Sequence, residues 1–243
     1  MTAFKYRAAE RPPSTDILWG MNPKEIKEIL VAARPRRFSA KSMMTHQGDS
    51  SDYFLLMWKG RGRFFYVTPT GKKLILLWIK PGETFGVAAF SRRPYPYLAS
   101  SEAVQDSVVL AWDGPTILAL GRRFPQLLEN VIYLTFEYVS WYIGAHSALV
   151  SESAQERLAN LLVALGPSIG EAVSDGIEID VSNQELADSV NINLYTVTRI
   201  LSKWQRTGAI RKYRGKILLR SPKKLFLSTH SSEPYERNIS DFR

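Results

Sequence analysis

Between Arg199 and Lys224 the chain carries Arg199, Lys203, Arg206, Arg211, Lys212, Arg214, Lys216, Arg220, Lys223 and Lys224, with no Asp or Glu among them. A cationic run without acceptors binds phosphate; it does not move protons. At its leading edge sit an amide (Asn193), a phenol (Tyr195), two hydroxyls (Thr196, Thr198) and a guanidinium (Arg199), all within about two helical turns. Arg forks onto guanine O6 and N7, and Thr suits a phosphate oxygen. The chemistry these residues offer is therefore recognition of duplex DNA, with Ser182, Asn183, Lys203, Lys212 and Arg214 as further contacts. No nucleophile–base–acid spacing and no phosphate-cradling Gly loop occurs elsewhere, so no catalytic residue is assigned.

The elements that must position these groups lie in Val181–Trp204. Ser182 caps a first helix, and Glu185 three residues on completes a capping box. Leu186, Ala187 and Val190 give that helix an inner face. Asn191-Ile192-Asn193 interrupts it, and Asn193 caps a second helix. There Val197, Ile200, Leu201 and Trp204 fall at i, i+3, i+4 and i+7, a single buried stripe. The pattern predicts a helix-turn-helix whose second helix turns polar groups outward.

The order Ser182, Gln184-Glu185-Leu186-Ala187-Asp188, Val190, Thr196-Val197, Arg199-Ile200-Leu201 resembles the helix-turn-helix of the Crp/Fnr superfamily. From about residue 24 to 225 the chain is also similar to that family's plan. The resemblance implies a β-roll effector domain, a long dimerisation helix, a homodimer on a near-palindromic operator, and RNA polymerase as a partner. In the family the reading helix commonly opens Ser-Arg-Glu-Thr, with Arg three residues beyond the Thr. Arg199 matches, whereas Leu194 stands for the Arg and Tyr195 for the Glu. A phenol cannot copy a carboxylate accepting from cytosine N4, and Leu offers only apolar contact with a thymine methyl.

The resemblance also says where an effector would sit. Nucleotide-binding members carry Phe-Gly-Glu and, some residues later, Arg-[Ser/Thr]-Ala, for the ribose and the cyclic phosphate. This chain has Phe85-Gly86-Val87-Ala88 and Tyr97-Leu98-Ala99 instead. A buried phosphate without a cation is very costly, so no cyclic-nucleotide response is expected. Any effector should be compact and largely apolar, held among Phe85, Gly86, Val87, Ala88, Leu98, Ala99, Trp141 and Tyr142; a roll that binds nothing is the alternative. Some family members sense gases through haem, but His46, His146 and His230 are read as ordinary polar side chains, so neither haem nor a metal is assigned.

The rest of the chain fits an α+β protein. Its 243 residues suit one large domain or two smaller ones, with 45% hydrophobic and 23% charged residues. No run has the length of a membrane span, and the first residues lack a signal-peptide core, so no membrane partner and a bacterial cytoplasm are expected. The chain has no Cys, which excludes disulfides and Cys-ligated iron–sulfur clusters. Residues 1–124 are read as an irregular arm plus β-roll, 125–150 as the dimer helix, 151–226 as the winged helix-turn-helix and 227–243 as a flexible tail. Asn22-Pro23-Lys24-Glu25 starts a helix that Pro35 should end. Tyr53–Trp58, Arg63–Val67, Lys73–Ile79, Leu98–Ala103 and Ser107–Trp112 are the strand candidates, and a helix of about two turns follows over Thr116–Gly121.

In the long helix Val131, Leu134, Tyr138, Trp141, Ala145 and Ala148 follow heptad spacing and are assigned to the dimer seam. Leu128, Ile132, Val139 and Ile143 form a second apolar line. One line would pack on the roll and the other on a second subunit; a buried helix in a monomer is the alternative. Ser153–Glu156 opens another helix that Gly166-Pro167 should stop. Ile177–Val181 alternates as a strand, and Arg214-Gly215 turns a basic wing. Two other functions stay open: a module that binds nucleic acid without sequence preference, and a cupin-like metalloenzyme.

Overall fold

The computed structural model describes residues 13, 15–93 and 95–226. The arm over 1–12, the tail over 227–243 and His230 lie outside them. Two compact units divide at Gly144 and Ala145.

In the first unit α1 (Pro23–Val31) starts at the expected capping box: Asn22 accepts from the Lys24 and Glu25 amides while Glu25 accepts from the Asn22 amide. It ends at Val31 rather than at Pro35, which falls inside a strand. Eight antiparallel strands follow: β1 (Arg34–Phe38), β2 (Met43–Thr45), β3 (Tyr53–Lys59), β4 (Gly62–Val67), β5 (Lys73–Ile79), β6 (Thr84–Phe85), β7 (Ser100–Ala103) and β8 (Ser107–Asp113). They form two four-stranded sheets, ordered β1-β8-β3-β6 and β2-β7-β4-β5. Then come α2 (Gly114–Arg123) and α3 (Pro125–Ser151), the latter crossing the division between the units.

The first sheet is covered on both faces, which explains the unbroken apolar run Phe54–Trp58 in β3. Leu55, Met57, Val109 and Ala111 join Ile79 and Phe85 in one core. Phe54, Leu56, Trp58, Leu110 and Trp112 turn the other way, into a second core with Ile29, Leu30, Ile117, Leu127 and Val131 from the helices. The Trp112 indole N–H donates to the Ile29 carbonyl at 2.8 Å.

α3 meets this unit with one of its two apolar lines. Val131 is buried, Leu134 packs against the second core, and the Tyr138 hydroxyl donates to the Thr84 carbonyl at 2.6 Å. Burial, with the Glu83 charge adding to it, pushes that phenol well above its ordinary value, so it stays a neutral donor. The first half of the line assigned to a dimer seam is thus taken up by the chain's own roll. The exposed line is the other one, Ile132, Val139 and Ile143, with Phe136 66% exposed between them. Periodicity finds two stripes on a helix but not which stripe the nearer partner occupies.

In the second unit α4 (Ala154–Ile169) opens at the Ser153–Glu156 capping box and runs through Gly166-Pro167 to Ile169. Proline costs a helix the bond its N–H would have made, and here the helix ends only two residues later. Beyond it lie β9 (Glu171–Val173), β10 (Gly176–Asp180), α5 (Asn183–Val190), α6 (Leu194–Arg206), β11 (Ile210–Tyr213), β12 (Lys216–Leu219) and α7 (Pro222–Phe226). The sheet order is β11-β12-β10-β9. Leu158, Leu162, Ile179, Leu186, Val197, Leu201, Trp204 and Ile217 are buried in this unit.

Asn130, buried in α3, ties the chain start to the helix. Its amide donates to the carbonyls of Ile17 and Trp19, both at 2.9 Å, and its oxygen accepts from Gln126 at 3.0 Å. Asn130→Ala should lower stability by about 1–3 kcal/mol, because the buried Ile17 carbonyl and the partly buried Trp19 carbonyl lose their donor. The urea midpoint of the purified protein measures this, with Gln126→Ala, which leaves both carbonyl bonds in place, costing less.

Candidate nucleic-acid interface and effector site

Local hydrogen bonds set where α5 begins, where it ends and where α6 starts. Ser182 Oγ accepts from the Glu185 amide at 3.2 Å, and the Glu185 carboxylate accepts from the Ser182 amide at 2.7 Å. Asn191 ends α5 in the left-handed region at φ 53°, which Asn tolerates better than most residues. Asn193 Oδ1 then accepts from the Thr196 amide at 2.7 Å and starts α6. Val197, Ile200, Leu201 and Trp204 are all buried, as the spacing requires.

Burying that stripe fixes what faces out. Tyr195 is 78% exposed and Leu194 45%, while Arg199 is exposed. Thr198 is exposed too, but its hydroxyl donates back to the Leu194 carbonyl at 2.9 Å and accepts from Asn183 Nδ2 at 3.4 Å. Lys203 donates to Gln155 Oε1 at 3.4 Å and is half-buried. Ser182 and Asn193 spend their side-chain oxygens as helix caps.

The wing is the β11–β12 hairpin, with Arg214-Gly215 as its two-residue loop and Gly215 at φ 75°. Lys212 is half-buried and Arg214 exposed. Two cations of the basic run are offset, Lys216 by Glu178 and Arg220 by Asp175. The Glu178 hydrogen bond raises the Lys216 ammonium above its ordinary value. Arg211 lies over the Tyr213 ring, 5.3 Å from its centre. Among the described residues Arg199, Arg206, Lys212 and Arg214 have no carboxylate partner. Lys203, Arg211 and the exposed Lys223 and Lys224 of α7 have none there either, so the positive surface runs from α6 through the wing to α7, interrupted at Lys216 and Arg220. Glu178 and Asp175 lie some 40 residues upstream of the lysine and arginine they offset, so only the β10–β12 pairing reveals them.

Two of the residues assigned to the effector, Phe85 and Val87, go to different cores. Phe85 is buried in the core between the sheets, edge-on to Phe64 at 5.4 Å. Val87 packs into the opposite core, beneath the helices. Gly86 makes this reversal at φ 79°, and a Cβ there would lie 2.1 Å from the Tyr53 carbonyl oxygen. Ala88 is half-buried beside it, and Ala99 is half-buried as well. Leu98 is 69% exposed, and Trp141 and Tyr142 are exposed on α3. Arg92 and Arg93 face solvent.

The cations that the second sheet does hold are already engaged. Arg63 and Lys73 meet Glu102 at 3.1 and 3.0 Å, and Lys73 also lies 3.8 Å from the Phe65 ring centre. Burial works against the Glu102 charge, but the Lys73 hydrogen bond and the two cations outweigh it and hold the carboxyl below its ordinary value. Among the described residues no cluster of three or more His, Asp or Glu could hold a metal, and no helix is long and apolar enough to cross a membrane.

Comparison with known proteins bears on both regions. Residues 35–124 match the family model of the cyclic nucleotide-binding domain, and residues 156–226 that of the Crp-like helix-turn-helix domain. The chain is 24% identical over 204 residues to the nitrogen fixation regulation protein FixK of Bradyrhizobium diazoefficiens, covering 83% of this chain and 84% of the relative. It is 27% identical over 202 residues to the cyclic AMP receptor protein of Thermus thermophilus, covering 83% and 90%. Its fold is similar to the solved structure of FixK2 from Bradyrhizobium japonicum, with a TM-score of 0.71, 19% identity and coverage of 83% and 99%.

Proposed function

This chain belongs to the Crp/Fnr-type transcription regulators, with a helix-turn-helix DNA-binding domain behind a cyclic-nucleotide-binding-type domain, and from that premise we infer that it acts as a homodimer reading a near-palindromic operator through α6. The observation that carries this reading is the outer face of α6. An exposed Arg199, without a carboxylate partner among the described residues, lies on a helix whose other side is sealed by Trp204, and the helix packs against the first strand of a basic wing. Catalysis has no part in it. RNA polymerase is the partner that the family membership suggests.

Two reading helices related by a two-fold axis meet one face of the duplex, so half-site centres should lie about 34 Å apart. Arg199→Ala should cost about 1–3 kcal/mol on the selected operator and relax preference at one base pair. Lys212→Ala should weaken all sequences alike and flatten the salt dependence. Selection from a random duplex pool, followed by titration of operator and random DNA, measures both. Equal losses on the two DNAs for Arg199→Ala would reduce that residue to a phosphate contact, and a pool without enrichment would mean binding without sequence preference.

The homodimer rests on the uncovered stripe of α3. Ile132, Phe136, Val139 and Ile143 are too many large apolar side chains on one line to leave in water, and the same line on a second copy covers them. Val139→Glu would bury a charge in that seam and should yield monomers that lose operator binding. Light scattering reads the mass; an unchanged dimer would put the seam elsewhere.

The roll should not respond to cyclic AMP. Val87, packed against the core beneath the helices, offers no carboxylate to a ribose, and the exposed Leu98 no cation to a phosphate. Any effector would be small and apolar. Calorimetry with cyclic AMP and cyclic GMP should give no heat of binding, and micromolar binding of either would overturn this.

A further inference from the structure

We propose that α6 reads thymine methyl groups, with Leu194 and Tyr195 as the specificity-determining residues beside the guanine contact of Arg199. The inference deepens the operator-binding reading and rests on α6 lying in the major groove.

The argument starts from what the outer face of α6 lacks. Leu194–Arg206 contains no Asp or Glu, so the strong acceptors that would accept a hydrogen bond from cytosine N4 are missing. The Thr198 hydroxyl is held between the Leu194 carbonyl and Asn183, and Asn193 Oδ1 is held by the Thr196 amide. Beyond Arg199, which only donates, the hydrogen-bonding groups left over the first two turns are the phenol of Tyr195 and the half-buried hydroxyl of Thr196, which suits a phosphate oxygen.

What the face does present is apolar. The side chains of Leu194 and Tyr195 are adjacent, both exposed, at the N-terminal end of the helix, where reading helices of this type touch base edges. The same helix buries every other large apolar residue it has. A solvated helix start gains nothing from a Leu-Tyr pair. In the major groove the one apolar feature of a base pair is the C5 methyl of thymine. Tyr195 and Arg199 are one turn apart on the same line, about 6 Å along the axis, which spans roughly two base steps. The apolar pair should therefore meet thymines within about two steps of the guanine.

Deoxyuridine tests this directly, because it pairs as thymine does and lacks only the methyl. With the operator selected from a random pool, each thymine of the half-site is replaced in turn and the dissociation constant of the full-length protein is measured. At one or two positions near the guanine, uracil should weaken binding about fourfold, the equivalent of the ~0.8 kcal/mol that burying one such group contributes. Leu194→Ala or Tyr195→Ala should remove the difference between thymine and uracil at its own position, whereas Arg199→Ala should keep it. Both residues are exposed and Ala favours helix, so the variants should fold; circular dichroism checks this. Uracil without effect at every position, or a methyl preference that survives in both variants, overturns the proposal even where an operator has been selected. Failure to select any operator is a different result, and would count against the operator-binding reading itself.

Discussion

The burial of Val197, Ile200, Leu201 and Trp204 is the constraint on which the DNA-binding unit depends. Each large apolar side chain gains roughly 1.5–3 kcal/mol on leaving water, so the stripe fixes the rotation of α6 about its own axis far more firmly than any exposed polar contact can. Once that rotation is set, Leu194, Tyr195 and Arg199 have no choice of direction. The capping residues then set where the helix begins, and the left-handed turn at Asn191 sets the angle at which it leaves α5. Recognition chemistry here follows from packing on the far side of the helix.

The roll obeys a related rule with the opposite outcome. Its first sheet is covered on both faces, so β3 cannot alternate, and the residue after each inward side chain is also buried. At Phe85-Gly86-Val87 the chain fills both cores in succession. A sequence read in one dimension places these residues side by side; the left-handed Gly86 sends them to opposite sides of the sheet.

What could be read in the sequence was local. The capping boxes at Asn22, Ser153 and Ser182, the α6 stripe and the longer strands all follow from spacings of three or four residues or from short apolar runs. Strands of two or three residues, such as β2 and β6, carry too few side chains for a period, and β1 hides behind Arg34, Arg36 and Arg37. Arg36 owes its place to the Tyr53 ring 3.8 Å away, a partner that no local pattern reveals. The two stripes of α3 were visible, but which of them the roll would claim depended on Tyr138 finding the Thr84 carbonyl, a bond across 54 residues.

The composition of α6 has a consequence for regulation. The helix contains neither a carboxylate nor an imidazole, the side chains that change charge between mildly acid and neutral pH. Its pattern of donors and apolar groups is therefore the same in an acid-stressed cell as in a neutral one. A change of pH over that range would act on how often the helix is presented to DNA, while the pattern it presents stays constant.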